Sequence, residues 1–332
     1  MNILFAIQGT GNGHLSRAAD IYPELCRYGT VDVLISGIQA DVAVPFPVTY
    51  RLYGMSFIFG KRGGIALWKT VSRLRPLRLN RDIRALPVHN YDLIINDFEP
   101  VSAWACRLHK KQCISLSHQC AVLDELAPKP AKESIAGKWV LRNYAPVTDA
   151  YGFNFRVSGP NIFTPVIRRQ VRELSVSDEG HYTVYLPAYD DGAIIRHLSQ
   201  FPDTKWQVFS KHNRHPLLSG NISVRKIDNE AFTASMATAA GVLCGAGFEG
   251  PAEAMYLGKK VLVIPMKAQY EQQCNAVGAR DMGAAMIPEL AKKYYPAIKD
   301  WLTAGVPVSV NYPDRTKAII EQIMREHAPS IK

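Results

Sequence analysis

A series of short apolar runs, separated by stretches with helical spacing, restricts this chain to an alternating α/β architecture. The runs "ILFAI", "VDVLIS", "DLIIND" and "CISLS" lie in the first half, and "YTVYLP", "WQVFS", "SVRKI", "GVLCG" and "KVLVIP" in the second. They are near-continuous rather than alternating, as expected of strands buried on both faces of parallel sheets. Between them, segments such as "HLSRAADIYPELCRYG" and "PVSAWACRLHKK" have the length and periodicity of helices. The pattern breaks at "VSGPNIFTPVIRRQV", where Gly159, Pro160 and Pro165 crowd together, and a new series of strands starts near Tyr182. Two doubly wound, Rossmann-like domains are therefore expected, residues 1–160 and 166–310. Residues 311–332 end in an amphipathic helix, "YPDRTKAIIEQIMREH", expected to pack back on the first domain. A length of 332 residues with 47% hydrophobic content is enough to fill two such cores.

The same composition excludes several classes. No run reaches the roughly 18 to 20 apolar residues of a membrane span, and "MNILFAIQG" carries neither a basic region nor a cleavage site, so a cytoplasmic location is expected. Six cysteines sit mostly inside apolar segments with no C-x-x-C pair, which argues for core thiols and against zinc. A net charge of +10 favours an anionic partner: nucleic acid, a membrane surface or a phosphorylated substrate. The aromatic-interleaved basic surface expected of an RNA binder is not evident, and no nucleic-acid partner is expected.

The first apolar run leads directly into "QGTGNGHLSR", Gln8 to Arg17. A glycine-rich bend between strand and helix lets a phosphate, a nucleotide or a sugar approach unpaired helix N–H groups. A dinucleotide fold would require G-x-G-x-x-G and an acid ending the second strand, where this chain has Ser36 and Gly37. "YLGKKV" lacks the features of a P-loop. Gly11, Asn12 and Gly13 then form a bend from which His14 is aimed. In the second half, "GVLCGAGFEGPAEAMYLGKKVLVIPMKAQYEQQCNA" ends a buried strand in Gly245, Ala246 and Gly247 and starts a helix at once, a second anion site. Glu253 lies two helical turns on, suited either to ribose hydroxyls or to solvent. Glu271 and Gln272 follow the next strand, where open α/β sheets bind ligands.

On these two motifs the chain resembles GT-B-fold glycosyltransferases, most of all the family-28, MurG-like type within the UDP-sugar transferase superfamily. The resemblance implies two Rossmann-like domains facing a cleft. It implies that Gly245 and Gly247 form a diphosphate turn, that Glu253 binds ribose, that Phe232 covers the base, and that Glu271 and Gln272 read sugar hydroxyls. On the acceptor side it implies His14 as general base oriented by Asp97, with His118 and Gln119 as a further pair beside Gly11, Asn12 and Gly13. Each residue also has a plainer reading: His14 and Asp97 as helix caps, Phe232 as core. The chain departs from the family at "LPAYDDGA", where Asp190 and Asp191 would repel a diphosphate and are expected to be helix caps or a site for something other than phosphate.

The expected activity is inverting transfer of a sugar from a nucleotide donor, UDP-linked by resemblance, to an acceptor hydroxyl. No cofactor or metal is expected, and no D-x-D motif is present. A nucleotide-sugar epimerase or hydrolase of the same fold is the first alternative, and a non-catalytic sugar-nucleotide or polyanion binder the second. The stretch Lys61 to Arg84 carries Lys61, Arg62, Lys69, Arg73, Arg75, Arg78, Arg81 and Arg84 against Asp82 alone, with apolar residues interleaved. It fits either a segment lying on an anionic membrane, with a lipid-linked cell-envelope acceptor and peripheral attachment, or a solvated helix interrupted by Pro76.

Overall fold

The computed structural model describes residues 1–10, 12–39, 44–55, 63, 75–213 and 215–329. The first domain builds β1 (Asn2–Thr10), α1 (Gly13–Leu25), β2 (Thr30–Gln39), β3 (Tyr50–Leu52), α2 (Pro76–Ala85), β4 (Leu93–Asp97) and α3 (Pro100–His109). It continues through β5 (Ile114–Ser117), α4 (His118–Val122), α5 (Ile135–Tyr144), β6 (Asp149–Phe153) and β7 (Ile162–Phe163). These strands form one sheet in the order β3-β2-β1-β4-β5-β6-β7, parallel throughout. Residues Ile3 to Ile7 of β1 are fully buried between β2 and β4, which is why their run is apolar without alternation.

The second domain holds α6 (Arg169–Arg172), β8 (His181–Tyr185), α7 (Asp191–Leu198), β9 (Lys205–Ser210), β10 (Leu217–Ser219), β11 (Ile222–Lys226) and α8 (Asn229–Thr238). Then come β12 (Gly241–Gly245), α9 (Glu249–Tyr256), β13 (Lys260–Ile264), α10 (Tyr270–Asp281), β14 (Ala285–Met286), α11 (Tyr295–Ala304) and α12 (Thr316–His327). Its sheet runs β10-β11-β9-β8-β12-β13-β14, parallel except for the β10 edge. The doubly wound reading of both halves is therefore observed. The first sheet extends past residue 160, because Ile162 and Phe163 add β7 against Gly152 and Phe153. After β14 the chain returns to the first domain. There Tyr151 donates from its hydroxyl to Glu326, and Gln322 donates to Asn161 at 3.2 Å.

Strand order reverses between β1 and β4 in one sheet and between β8 and β12 in the other. Such switch points open a crevice at the carboxyl ends of the strands. The two crevices face one another: His118 of α4 stacks on Phe248 at 3.8 Å and 5°, and Phe155 lies 5.0 Å from the same ring. Among the described residues no helix is long and apolar enough to cross a membrane.

Candidate functional site

Backbone geometry explains part of the glycine bend. A Cβ on Gly9 would lie 2.9 Å from Ile35 Cγ2, and Gly37, at φ +133°, would place one 2.8 Å from the Gly9 carbonyl carbon. The ends of β1 and β2 thus approach more closely than side chains allow. Gly11 lies outside the described residues. Asn12 precedes α1 without capping it by its side chain, and among the described residues its Oδ1 has no hydrogen-bond partner.

Asp97 ends β4 beside Ile7 and is fully buried. It does not cap the helix that follows. Glu99 does so, accepting from Val101 N at 2.7 Å and Ser102 N at 2.6 Å, and it also accepts from the Ser36 hydroxyl at 2.5 Å. Phe98, between the two carboxylates, sits at φ +56° in the left-handed region, a costly conformation for a large side chain. That turn separates the two acids. Glu99 faces α3, and Asp97 faces the cleft.

Here Asp97 Oδ1 stands 2.8 Å from His14 Nδ1. An ionised carboxylate only accepts, so Nδ1 carries the proton, and in the neutral ring Nε2 keeps its lone pair. Nε2 faces the Gln119 amide at 3.4 Å. The structure adds a residue that the sequence reading missed: Arg17 donates from Nη2 to both Asp97 oxygens, at 2.7 and 2.8 Å, and from Nη1 to Glu249 of α9. Arg17 is buried, with its guanidinium 5.1 Å from the Phe153 ring centroid. Its one sequence signal is its position three residues after His14, on the same helical face.

Burial acts against a charged imidazole at His14, but the neighbouring Asp97 carboxylate outweighs it and raises the pKa above the usual histidine value. For Asp97 burial pushes the other way, and the Arg17 and His14 charges overcome it to hold the carboxyl below its ordinary value. Cys120, next to this cluster, has its thiol pushed up by burial. His118 is also buried, with Nδ1 2.7 Å from the Phe153 carbonyl and Nε2 2.6 Å from Asn275 Oδ1 of α10. Both ring nitrogens are therefore engaged: Nδ1 within the first domain, and Nε2 across to the second.

On the second domain, Gly245 ends β12 at the switch point and Gly247 faces open space. Phe248, at the start of α9, makes no side-chain cap among the described residues. Glu253, one turn into α9, is buried and held in a fork by Arg168, with Nε at 2.6 Å from Oε1 and Nη2 at 2.7 Å from Oε2. Arg168 also donates to Asn229 at 2.5 Å. Phe232 packs among aromatic rings, 5.3 Å from Phe209 and 5.5 Å from Tyr185. Gln272 turns back to accept from Met266 N at 2.9 Å, while Glu271 is half-buried. Asp190 caps α7 through Ala193 N at 2.9 Å, and Asp191 accepts from Ser210 at 2.6 Å. Among the described residues no group of three His, Cys, Asp or Glu side chains could hold a metal ion.

Much of the basic stretch, 61–62 and 64–74, lies outside the described residues. Gly63 donates to the Ala188 carbonyl at 2.7 Å and accepts from Lys267 N at 2.6 Å, so this residue is bonded to the second domain. On α2, Leu77, Arg81 and Arg84 are exposed. Arg75 and Arg78 lie 5.0 and 5.3 Å from the Tyr53 ring centroid.

Comparison with known proteins places this geometry in context. Residues 1–304 match the family model for glycosyl transferase family 1. No curated protein matches the chain by sequence. Among solved structures, it is similar to Arabidopsis thaliana UGT89C1 in complex with UDP-L-rhamnose, at 14% identity and a TM-score of 0.56, covering 98% of this chain and 96% of that one. It is similar to Acinetobacter baumannii MurG at 16% identity, TM-score 0.53, with 98% and 99% covered. A UDP-N-acetylglucosamine 2-epimerase aligns at 13% identity, TM-score 0.53, with 98% and 96% covered. At these identities the structures show the GT-B fold, and the likeness to MurG is one of fold.

Proposed function

The chain belongs to glycosyl transferase family 1, and from that premise we propose that it moves a hexosyl group, with inversion, from a UDP-type nucleotide donor to an acceptor hydroxyl bound in the cleft. The observation that carries this reading is the His14–Asp97 pair: Nδ1 is held at 2.8 Å and Nε2 is left basic at the cleft. As the acceptor oxygen bonds to the anomeric carbon, its proton passes to His14 Nε2. Asp97 stabilises the imidazolium that results. The bond from the anomeric carbon to the diphosphate breaks, and its electron pair leaves with the phosphate oxygen. Base assistance of this type contributes roughly 10²- to 10⁴-fold.

Backbone donors around Gly245 and Gly247 and the start of α9 would receive the diphosphate, an electrostatic role that requires no bound metal. Glu253 would reach the ribose from its Arg168 fork, with Phe232 at the base and Glu271 and Gln272 at the sugar. Two finer readings are proposed: family-28 membership, which rests on the resemblance of the two glycine motifs, and a lipid-linked acceptor, supported by the exposed Arg81, Arg84 and Leu77 on α2.

The test is a thermal-shift screen against UDP-, GDP-, CMP- and TDP-sugars, followed by nucleotide release with and without lipid and soluble acceptors. Stabilisation by a UDP-sugar and acceptor-dependent release of UDP, with an inverted anomer in the product by NMR, is expected. Release at the full rate with no acceptor would replace this reading with hydrolysis or epimerisation.

A further inference from the structure

Gly13 and Arg17 are four residues apart on α1, and a single side chain of the other domain meets both. Glu249, the first residue of α9, takes a hydrogen bond from Arg17 through Oε1, while its Oε2 fills the place that a Cβ on Gly13 would occupy. The glycine before His14 is thus the gap that admits Glu249. Arg17 is 1% exposed; its Nη2 donates to both Asp97 oxygens and lies 3.4 Å from His14 Nδ1. A continuous charged chain therefore runs from α9 to His14: Glu249, Arg17, Asp97, His14. Beside this chain of charges the neutral Gln119 amide faces the imidazole at 3.4 Å from Nε2, and the buried Cys120 thiol lies by Asp97.

We propose that Glu249 is a positioning residue for the transfer: by holding Arg17 from across the cleft it completes the His14–Asp97 pair only when the donor-binding domain lies against the acceptor-side domain. Without Glu249 the guanidinium charge falls on Asp97 alone, and the carboxylate holds the imidazole less strongly. Glu249 is two residues beyond Gly247, so the turn assigned to the donor diphosphate and the group that reaches the base are one segment. Base assembly is thereby linked to the domain that carries the donor. The inference rests on the reading of His14 as general base.

The test uses Glu249→Gln in the full chain, which keeps the shape and removes the charge, with three readouts: kcat, donor KM, and titration of the His14 ring by NMR of the ¹³C-histidine-labelled protein. The inference predicts a fall in kcat of about tenfold with donor KM changed by less than about twofold, since a misplaced base affects the chemical step. The His14 midpoint should move to lower pH. Gly13→Ala, whose methyl would displace the Glu249 carboxylate, should lower kcat in the same way. A rise in donor KM alone would make Glu249 a donor ligand and overturn the inference, as would wild-type kcat with an unmoved His14 titration. If Glu249→Gln moves the titration while His14→Ala retains full transfer, the link stands and the general-base reading fails.

Discussion

Replacing Asp97 by Asn tests how the buried cluster sets the strength of the base. The variant keeps the shape of the side chain and removes its charge. Three forces act on His14 in the wild type: burial, which opposes its charge, Asp97, which favours it, and Arg17, which opposes it. With the carboxylate gone, burial and Arg17 remain, and both lower the pKa. The amide can also present its NH₂ to Nδ1, which selects the wrong tautomer and leaves Nε2 protonated. A loss in kcat of about 10²- to 10⁴-fold follows, or roughly 3 to 5 kcal/mol of barrier. Transfer requires neutral His14, so the acid limb of the wild-type kcat/KM profile should lie above the usual histidine value, and in the variant below it. Stability changes in parallel. The lowered Asp97 pKa stabilises the fold above the unfolded carboxylate pKa, and that contribution is lost as pH falls through the folded value. The raised His14 pKa stabilises below its unfolded value and is lost as pH rises through the folded one. The assay is nucleotide release across pH with the acceptor identified by screening, beside thermal melts over the same range. A variant with wild-type kcat and an unmoved acid limb would refute the reasoning.

Two further outcomes can be checked directly. Glu253→Ala should destabilise the second domain by about 3 to 5 kcal/mol in chemical denaturation, because it leaves the buried Arg168 unpaired, whereas Glu253→Gln should fold and bind UDP more weakly by calorimetry; unchanged affinity in the Gln variant removes Glu253 from the site. The protein should float with acidic liposomes at low salt and be released at high salt, each basic residue contributing about 1 kcal/mol, and the joint change of Arg75, Arg78 and Arg81 to Glu should abolish flotation; wild type that ignores acidic vesicles makes a soluble acceptor the better reading.

The central strands were legible because parallel strands buried on both faces must be apolar throughout, as in "NILFAI" and "KVLVI". The edges were not. β7 and β14 span two residues each, and β6 reads "DAYGF", too polar and too short to show a period. His14 was marked by the glycine bend after β1, and Asp97, the last residue of β4, was named through the family resemblance; adjacency of β1 and β4 at the switch point brings the two together. Arg17 and Glu249 could not, since on their own helices they look like solvent-facing charges; the opposite domain creates their burial. The same holds for Arg168 at Glu253 and for Asn275 at His118. The left-handed turn at Phe98, which frees Asp97 from capping, has no mark in the sequence.

The measurement that bears most directly on the account is transfer by His14→Ala, taken together with donor affinity by calorimetry on the same preparation. The account predicts a folded protein that binds the nucleotide-sugar as wild type does and loses transfer by at least about a hundredfold. Turnover near wild type with the true acceptor would contradict it.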